Sequence, residues 1–261
     1  MSKMVYLGSN LKMYKGVKDT VEFLTRLSDL TKDIDRSGLT LFIIPSYVTL
    51  ESARKAVPNA SILLGAQNMH WEEEGQFTGE ISPRMLQEIG IDIIEIGHSE
   101  RRHVMGENDF DENKKVLSAL NHGFKALLCV GETLQQKELD LSDETLSTQL
   151  KIGLSGVDKK DIGRLWIAYE PVWAIGVNGI PASKEYADEK HAVIKDVLCG
   201  LFGSDADGIP VLYGGSVNPQ NAEELAEMPN IDGLFIGRSA WDAEGFNKII
   251  RATYPIFQKK P

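Results

Sequence analysis

An α/β protein closed into a single (β/α)8 barrel is the fold class this sequence predicts, on three observations. Eight short, continuously apolar runs recur through the 261 residues, the mark of parallel strands buried on both faces. Each run is followed by a segment whose apolar residues return at helical spacing. No low-complexity linker or shift in composition separates the units, so one domain over residues 1–261 is expected, a size that a single barrel commonly fills. An open, doubly wound sheet is the alternative. It is weaker because no Gly-x-Gly-x-x-Gly follows the first strand.

The elements follow in order. Val5-Tyr6-Leu7 is the first strand, Gly8 to Met13 its loop, and Val21, Leu24, Leu27 and Leu30 mark a helix. Leu39 to Ile44 is the second strand, stopped by Pro45, with Ser46 as cap for a helix carrying Val48, Leu50 and Ala53. Ser61 to Leu64 is the third, followed by a long connection from Gly65 to Glu80, and Ser82-Pro83 opens a helix with a capping residue and then proline. Ile91 to Ile96 is the fourth strand, and the helix with Val116, Leu117 and Leu120 runs out at Gly123. Lys125 to Val130 is the fifth, ending on Gly131-Glu132-Thr133, and a helix over about Asp143 to Ile152 follows.

Leu165 to Tyr169 is the sixth strand, and it ends on Glu170. Pro171 forces Glu170 out of the helical region, so the carboxylate stands at the strand's C-terminal edge. Val172-Trp173-Ala174 is bulky and apolar, while Gly176, Asn178 and Gly179 are turn-like, a combination that suits a lid with small residues near its ends. A carboxylate under a lid is a candidate general base, because exclusion of water raises its pKa. A glutamate met alone is more often an ordinary exposed loop residue. Ser183 caps the next helix, Pro210 to Tyr213 is the seventh strand with Gly214-Gly215-Ser216 after it, and Asn218-Pro219 opens a further helix. Gly233 to Ile236 is the eighth, ending on Gly237-Arg238-Ser239, and Phe246, Ile249, Ile250 and Tyr254 mark the last helix.

Composition narrows the partners. Hydrophobic residues make up 42% and charged residues 25% of the chain, as in soluble globular proteins, and the net charge of −10 speaks against nucleic acid or an anionic membrane. An anionic small substrate is still compatible, since backbone N–H groups with one or two cations can hold a phosphate. Cys129 and Cys199 imply no disulfide framework. The stretch from Met1 to Val5 has neither a signal peptide nor a membrane span, so the cytoplasm is the expected compartment. His70, His103, His122 and His191 show no metal-ligand spacing, and no metal or other cofactor is expected.

In a barrel of this kind the chemistry collects at the C-terminal ends of the strands. There this chain places Asn10 and Lys12, His98 and Glu100, Glu170, and the glycine-serine turns after strands seven and eight. His98 opens a short helix, whose N–H groups disfavour a positive imidazole, so a neutral histidine donating to a carbonyl fits; so does a solvated turn histidine. Lys12 is either a surface lysine or a cation facing substrate charge, and Glu100 either the partner of such a cation or an ordinary surface acid. The turns at Gly214 to Ser216 and at Gly237 match a backbone phosphate site or, equally, simple turn chemistry.

Taken together, Asn10-Leu11-Lys12-Met13, Gly65-Ala66-Gln67-Asn68, Phe77 to Pro83, Gly97-His98-Ser99-Glu100-Arg101-Arg102, Cys129 to Thr133, Ala168 to Gly176 and Tyr213 to Val217 resemble the triosephosphate isomerase family from one end of the chain to the other. The resemblance implies a TIM barrel with Glu170 as base, His98 as electrophile, Lys12 as electrostatic stabiliser and Asn10 as a hydrogen-bonder to substrate. It implies main-chain phosphate binding at Gly176, Ser216, Gly237 and Arg238, and Glu100 behind the reacting groups. It also implies a cofactor-independent isomerase of a small phosphorylated ketose, working as a homodimer with the loop around Thr78 at the interface. The departures are Leu11 and Tyr14 beside the lysine, the lid end Val177-Asn178-Gly179-Ile180-Pro181, Gly237-Arg238 where two glycines are usual, and Gln67 to Trp71. These resemble the branch that converts L-erythrulose 1-phosphate to D-erythrulose 4-phosphate in erythritol catabolism; the alternative is the glycolytic interconversion of dihydroxyacetone phosphate and D-glyceraldehyde 3-phosphate. Two other classes fit the residues less fully: a Schiff-base aldolase with Lys12 as nucleophile, which borohydride would trap, and a barrel without catalysis, which would wash no substrate hydrogen into deuterated water.

Overall fold

The computed structural model describes residues 4–58, 61–176 and 179–260. Eight parallel strands pair in sequence order and close on themselves: β1 (Val5–Asn10), β2 (Leu39–Ile44), β3 (Leu63–Ala66), β4 (Ile93–Ile96), β5 (Lys125–Val130), β6 (Leu165–Tyr169), β7 (Val211–Tyr213) and β8 (Gly233–Ile236). Closure is made by the ladder of β1 against β8, from Tyr6 opposite Gly233 to Ser9 opposite Ile236. The expected (β/α)8 barrel is therefore the fold.

Alternation along each strand divides the core in two. Leu7, Leu41, Ile43, Ile94, Ile96, Leu128 and Ile167 point outward and join the inner faces of the helices. Phe42, Ile93, Leu127, Trp166, Leu212 and Phe235 point inward and fill the barrel. The floor is aromatic: Phe42 lies 5.5 Å from Trp166 and 5.6 Å from Phe235, ring to ring. Gly8 is required beside it, since a Cβ there would come within 2.3 Å of the Phe42 ring. Phe42→Ala would open a cavity costing about 3–5 kcal/mol. This plug closes the barrel from below and leaves its upper layer to polar residues.

Three local expectations need correction. β1 runs on through Asn10 rather than ending at Leu7, because its whole length pairs with β2, Asn10 opposite Ile44. Ser46 makes no capping hydrogen bond; a turn of 3₁₀ helix over Tyr47–Thr49 comes first, the α-helix starts at Leu50, and Val48 is left 81% exposed. Asn218-Pro219 does not open a helix. Asn218 Oδ1 accepts from the N–H groups of Gln220 and Asn221, a local turn that competes with helix, and the helix is Ala222–Glu227. Among the described residues no helix is long and apolar enough to cross a membrane.

Candidate active site

The ends of β1, β4, β6, β7 and β8 surround a cavity of about 440 Å³, the size of a small-molecule site. Asn10, Lys12, His98, Glu100, Glu170, Gly176, Ser216, Gly237 and Arg238 all line it. Every site residue expected from the sequence thus comes to one mouth. What each does there follows from its neighbours.

Glu170 is buried, held where its N–H donates to Val130 O at 2.7 Å. Two glycines make this possible. A Cβ on Gly131 would sit 1.9 Å from Glu170 O, and one on Gly214 would sit 2.8 Å from Glu170 Cγ. Gly214, which reads from the sequence as part of a phosphate turn, thus makes room for the carboxylate side chain. Glu170 Oε2 accepts from the Ser99 N–H at 3.4 Å, and Oε1 lies 3.6 Å from His98 Nε2.

His98 caps the short helix Ser99–His103, and its Nδ1 accepts from the Glu100 N–H at 3.1 Å. A nitrogen that accepts carries no proton, so the ring proton of the neutral form belongs to Nε2, the atom facing Glu170. That arrangement can polarise a carbonyl placed beside the carboxylate.

Lys12 stands in the left-handed region, with φ of 50°. Non-glycine residues take that conformation at a cost, which the surroundings must offset. Here the Lys12 N–H donates to Asn10 Oδ1 at 2.6 Å and Gln67 Nε2 donates to Lys12 O at 2.8 Å. Lys12 Nζ pairs with Glu100 Oε1 at 2.7 Å. Burial opposes ionisation of Glu100, but the hydrogen bond from Lys12 and the Lys12 charge work against it, and the carboxyl is held below its usual range. The cation is thereby kept at the cavity wall.

The lid begins as a 3₁₀ turn, Val172–Ala174, and is tied down on its far side. Trp173 Nε1 donates to Glu132 Oε1 at 2.8 Å, Tyr186 Oη donates to the same oxygen at 2.9 Å, and Lys137 Nζ lies 3.5 Å from the centre of the Trp173 ring. The Ile180 N–H returns to Trp173 O at 3.1 Å. Gly176 has φ of 88°, a conformation that favours glycine at the near end of this loop. Val177 and Asn178, part of the altered lid end, lie outside the described residues.

Three features escape a reading of the sequence. Tyr14 packs on Trp241 with ring centres 4.4 Å apart and planes tilted by 37°, and both line the cavity, while Trp241 Nε1 donates to Asn10 O at 2.8 Å. Gln67 ties β3 to β1 through Asn10 and Lys12. Most unexpected is Glu95, fully buried inside the barrel, whose two oxygens accept from Asn10 Nδ2 at 2.9 and 2.8 Å. Burial, reinforced by the charge of Glu170, raises its pKa well above the carboxylate range, and the Asn10 hydrogen bond only partly offsets this. The signal was present, since Glu95 interrupts an apolar run and shares the inward parity of Ile93. Atoms of Glu95, His98 and Glu170 lie within 4.8 Å of one another. Each residue is already engaged, Glu95 by Asn10, His98 by Glu100 and Glu170 by Ser99.

Comparison with known proteins places this geometry. A sequence model of the family described as triosephosphate isomerase matches residues 5–253. An L-erythrulose-1-phosphate isomerase of Rhizobium etli is 45% identical over 261 residues, covering 99% of this chain and 96% of that protein. One from Mesorhizobium japonicum is 45% identical over 251 residues, covering 96% and 97%. A triosephosphate isomerase of Acetivibrio thermocellus is 42% identical over 252 residues, covering 96% and 99%.

Proposed function

Because the chain belongs to the triosephosphate isomerase family and is an isomerase, we propose that it converts L-erythrulose 1-phosphate to D-erythrulose 4-phosphate through an enediolate, with Glu170 as base. The observation that carries the chemistry is the pair of Glu170 Oε1 and His98 Nε2, 3.6 Å apart in the cavity. The names of the relatives at 45% identity favour the tetrulose phosphate over the triose phosphate as substrate.

In this reading the phosphate sits on the N–H groups of Gly176, Ser216, Gly237 and Arg238, with the Arg238 guanidinium adding charge. Glu170 takes the proton from the hydroxyl-bearing carbon next to the ketone. The electron pair of that C–H bond forms the carbon–carbon double bond, and the ketone oxygen takes the negative charge, stabilised by His98 Nε2–H and Lys12. The proton moves between the two oxygens by way of His98, and Glu170 returns a proton to the former ketone carbon. The carbonyl then stands one carbon further from the phosphate. Closing the lid over Glu170 keeps water from the enediolate, whose competing fate is loss of phosphate. No cofactor takes part in these steps, and a cytoplasmic location fits a substrate whose charge keeps it from crossing membranes.

The same reading includes a homodimer formed around the Thr78 loop. The loops after four consecutive strands, β1 to β4, leave Met13 93%, Val48 81%, Phe77 43% and Met105 66% exposed, apolar surface of the kind that a partner subunit covers. Light scattering on the purified protein tests it, and a monomer would remove it.

The deciding experiment is kcat/KM on L-erythrulose 1-phosphate and dihydroxyacetone phosphate, side by side. A preference of tenfold or more for the tetrulose supports the reading; a fast triose reaction with little tetrulose turnover overturns it in favour of the glycolytic reaction.

A further inference from the structure

Glu95 takes no part in the proton transfers above, yet it lies against the groups that make them. It holds an inward position of β4, whose other residues, Ile93, Ile94 and Ile96, are all isoleucine, and it is 0% exposed. Inward positions of such barrels are filled by bulky branched side chains. A carboxyl there loses its hydration, a cost that only a specific partner offsets.

That partner is Asn10. Its Nδ2 donates to both oxygens of Glu95, and its Oδ1 accepts from the Lys12 N–H at 2.6 Å and from Gln67 Nε2 at 3.1 Å. The amide is thereby held in one of its two flip states, nitrogen toward β4 and oxygen toward the backbone of Lys12. An apolar residue at position 95 would strand the buried nitrogen, and the opposite flip would set it against the Lys12 N–H, donor against donor. Glu95 is thus what gives Asn10, a residue of the cavity wall, a defined polar face.

We propose that Glu95, acting through Asn10, is the positioning residue that fits this site to a ketose phosphate bearing a hydroxymethyl group on the reacting carbon. The inference rests on the tetrulose reading above. A substrate anchored by its phosphate at the ends of β7 and β8 would bring its reacting carbon between Glu170 after β6 and His98 after β4. In this proposal the group that carbon carries meets the wall that Asn10 forms, with Glu95 behind it. A triose phosphate carries only hydrogen there. A tetrulose phosphate carries a hydroxyl that loses its water on binding and needs a partner of fixed orientation, the kind of contact that separates substrates more strongly than a pocket of the right size.

The test compares the wild-type enzyme with Glu95→Leu and Glu95→Gln on L-erythrulose 1-phosphate and on dihydroxyacetone phosphate, with circular dichroism and thermal melting as controls of folding. Glu95→Leu is expected to lose roughly 30-fold in kcat/KM on the tetrulose phosphate and about 3-fold or less on the triose phosphate. Glu95→Gln, whose amide oxygen can still accept from Asn10 Nδ2, is expected to keep most of the wild-type preference. If Glu95→Leu fails to fold, Glu95→Met, unbranched and unable to make the same bond, takes its place. An unchanged ratio, or parallel losses on both substrates, overturns the proposal while leaving the tetrulose reading in place. A wild-type enzyme with no tetrulose preference overturns both.

Discussion

His98 and Glu170 are oriented by consecutive N–H groups of one short helix. The Ser99 N–H donates to Glu170 Oε2 and the Glu100 N–H to His98 Nδ1, which leaves Oε1 and Nε2 facing each other across 3.6 Å. The two side chains therefore share one support, although they follow different strands, β6 and β4. In the proposed mechanism a substrate carbon and its ketone oxygen enter this gap together.

Shortening Glu170, the proposed base, tests that geometry. Glu170→Asp withdraws the carboxylate by about one carbon–carbon bond, roughly 1.5 Å, and is expected to lower kcat by about 100-fold or more with KM changed only a few-fold. Steady-state kinetics, with washout of substrate hydrogen in deuterated water, measures both. A near-wild-type rate would remove Glu170 from the role of base.

The lid tie is separable from lid packing. Trp173→Phe keeps an aromatic ring in place and deletes the N–H that Glu132 accepts. A hydrogen bond to a charged group is worth about 1.5–3 kcal/mol. If binding must break it, the variant is expected to bind glycerol 3-phosphate, a non-reacting phosphate ester, about 10-fold more tightly. Equal affinity in calorimetry would show that the bond survives binding.

Arg238 lines the cavity beside Gly237. Arg238→Ala is expected to raise KM for the phosphorylated substrate about 10-fold, the equivalent of about 1.4 kcal/mol, with kcat little changed and with a weaker dependence of KM on salt. Initial rates at several ionic strengths give the answer. A KM that does not move means that the guanidinium points away from the phosphate.

The acid limit of stability depends in part on His191. The ring is fully buried, 5.7 Å from Tyr169 and 6.1 Å from Tyr213, and burial, with a smaller push from the positive charge of Lys195, lowers its pKa to about 3. Its unfolded value is near 6.5. Between these two values the unfolded chain binds the extra proton, so stability rises with pH in that window. The contribution is complete above about pH 6.5 and declines by about 1.4 kcal/mol per unit as the pH falls toward 3. His191→Leu is expected to lower the melting temperature less than wild type does between pH 7 and pH 4. Parallel melting curves would exclude a buried neutral histidine.

The sequence alone determined the barrel and the cast of its mouth. Continuous apolar strands ending on Asn10, Glu170 and the glycine turns are one-dimensional signals, because burial on both faces and a stop by proline or glycine are local properties. Only the tertiary structure decided what those residues do to one another. Gly214 turned out to make room for Glu170, Gln67 to support Lys12, and Glu95 to hold Asn10, across sequence separations of 44, 55 and 85 residues. Nothing in a linear pattern records such pairings. They arise when closure of the sheet brings the end of β1 within hydrogen-bonding reach of residues on or just after β3 and β4, where a buried polar group must find a partner or lose its hydration without return.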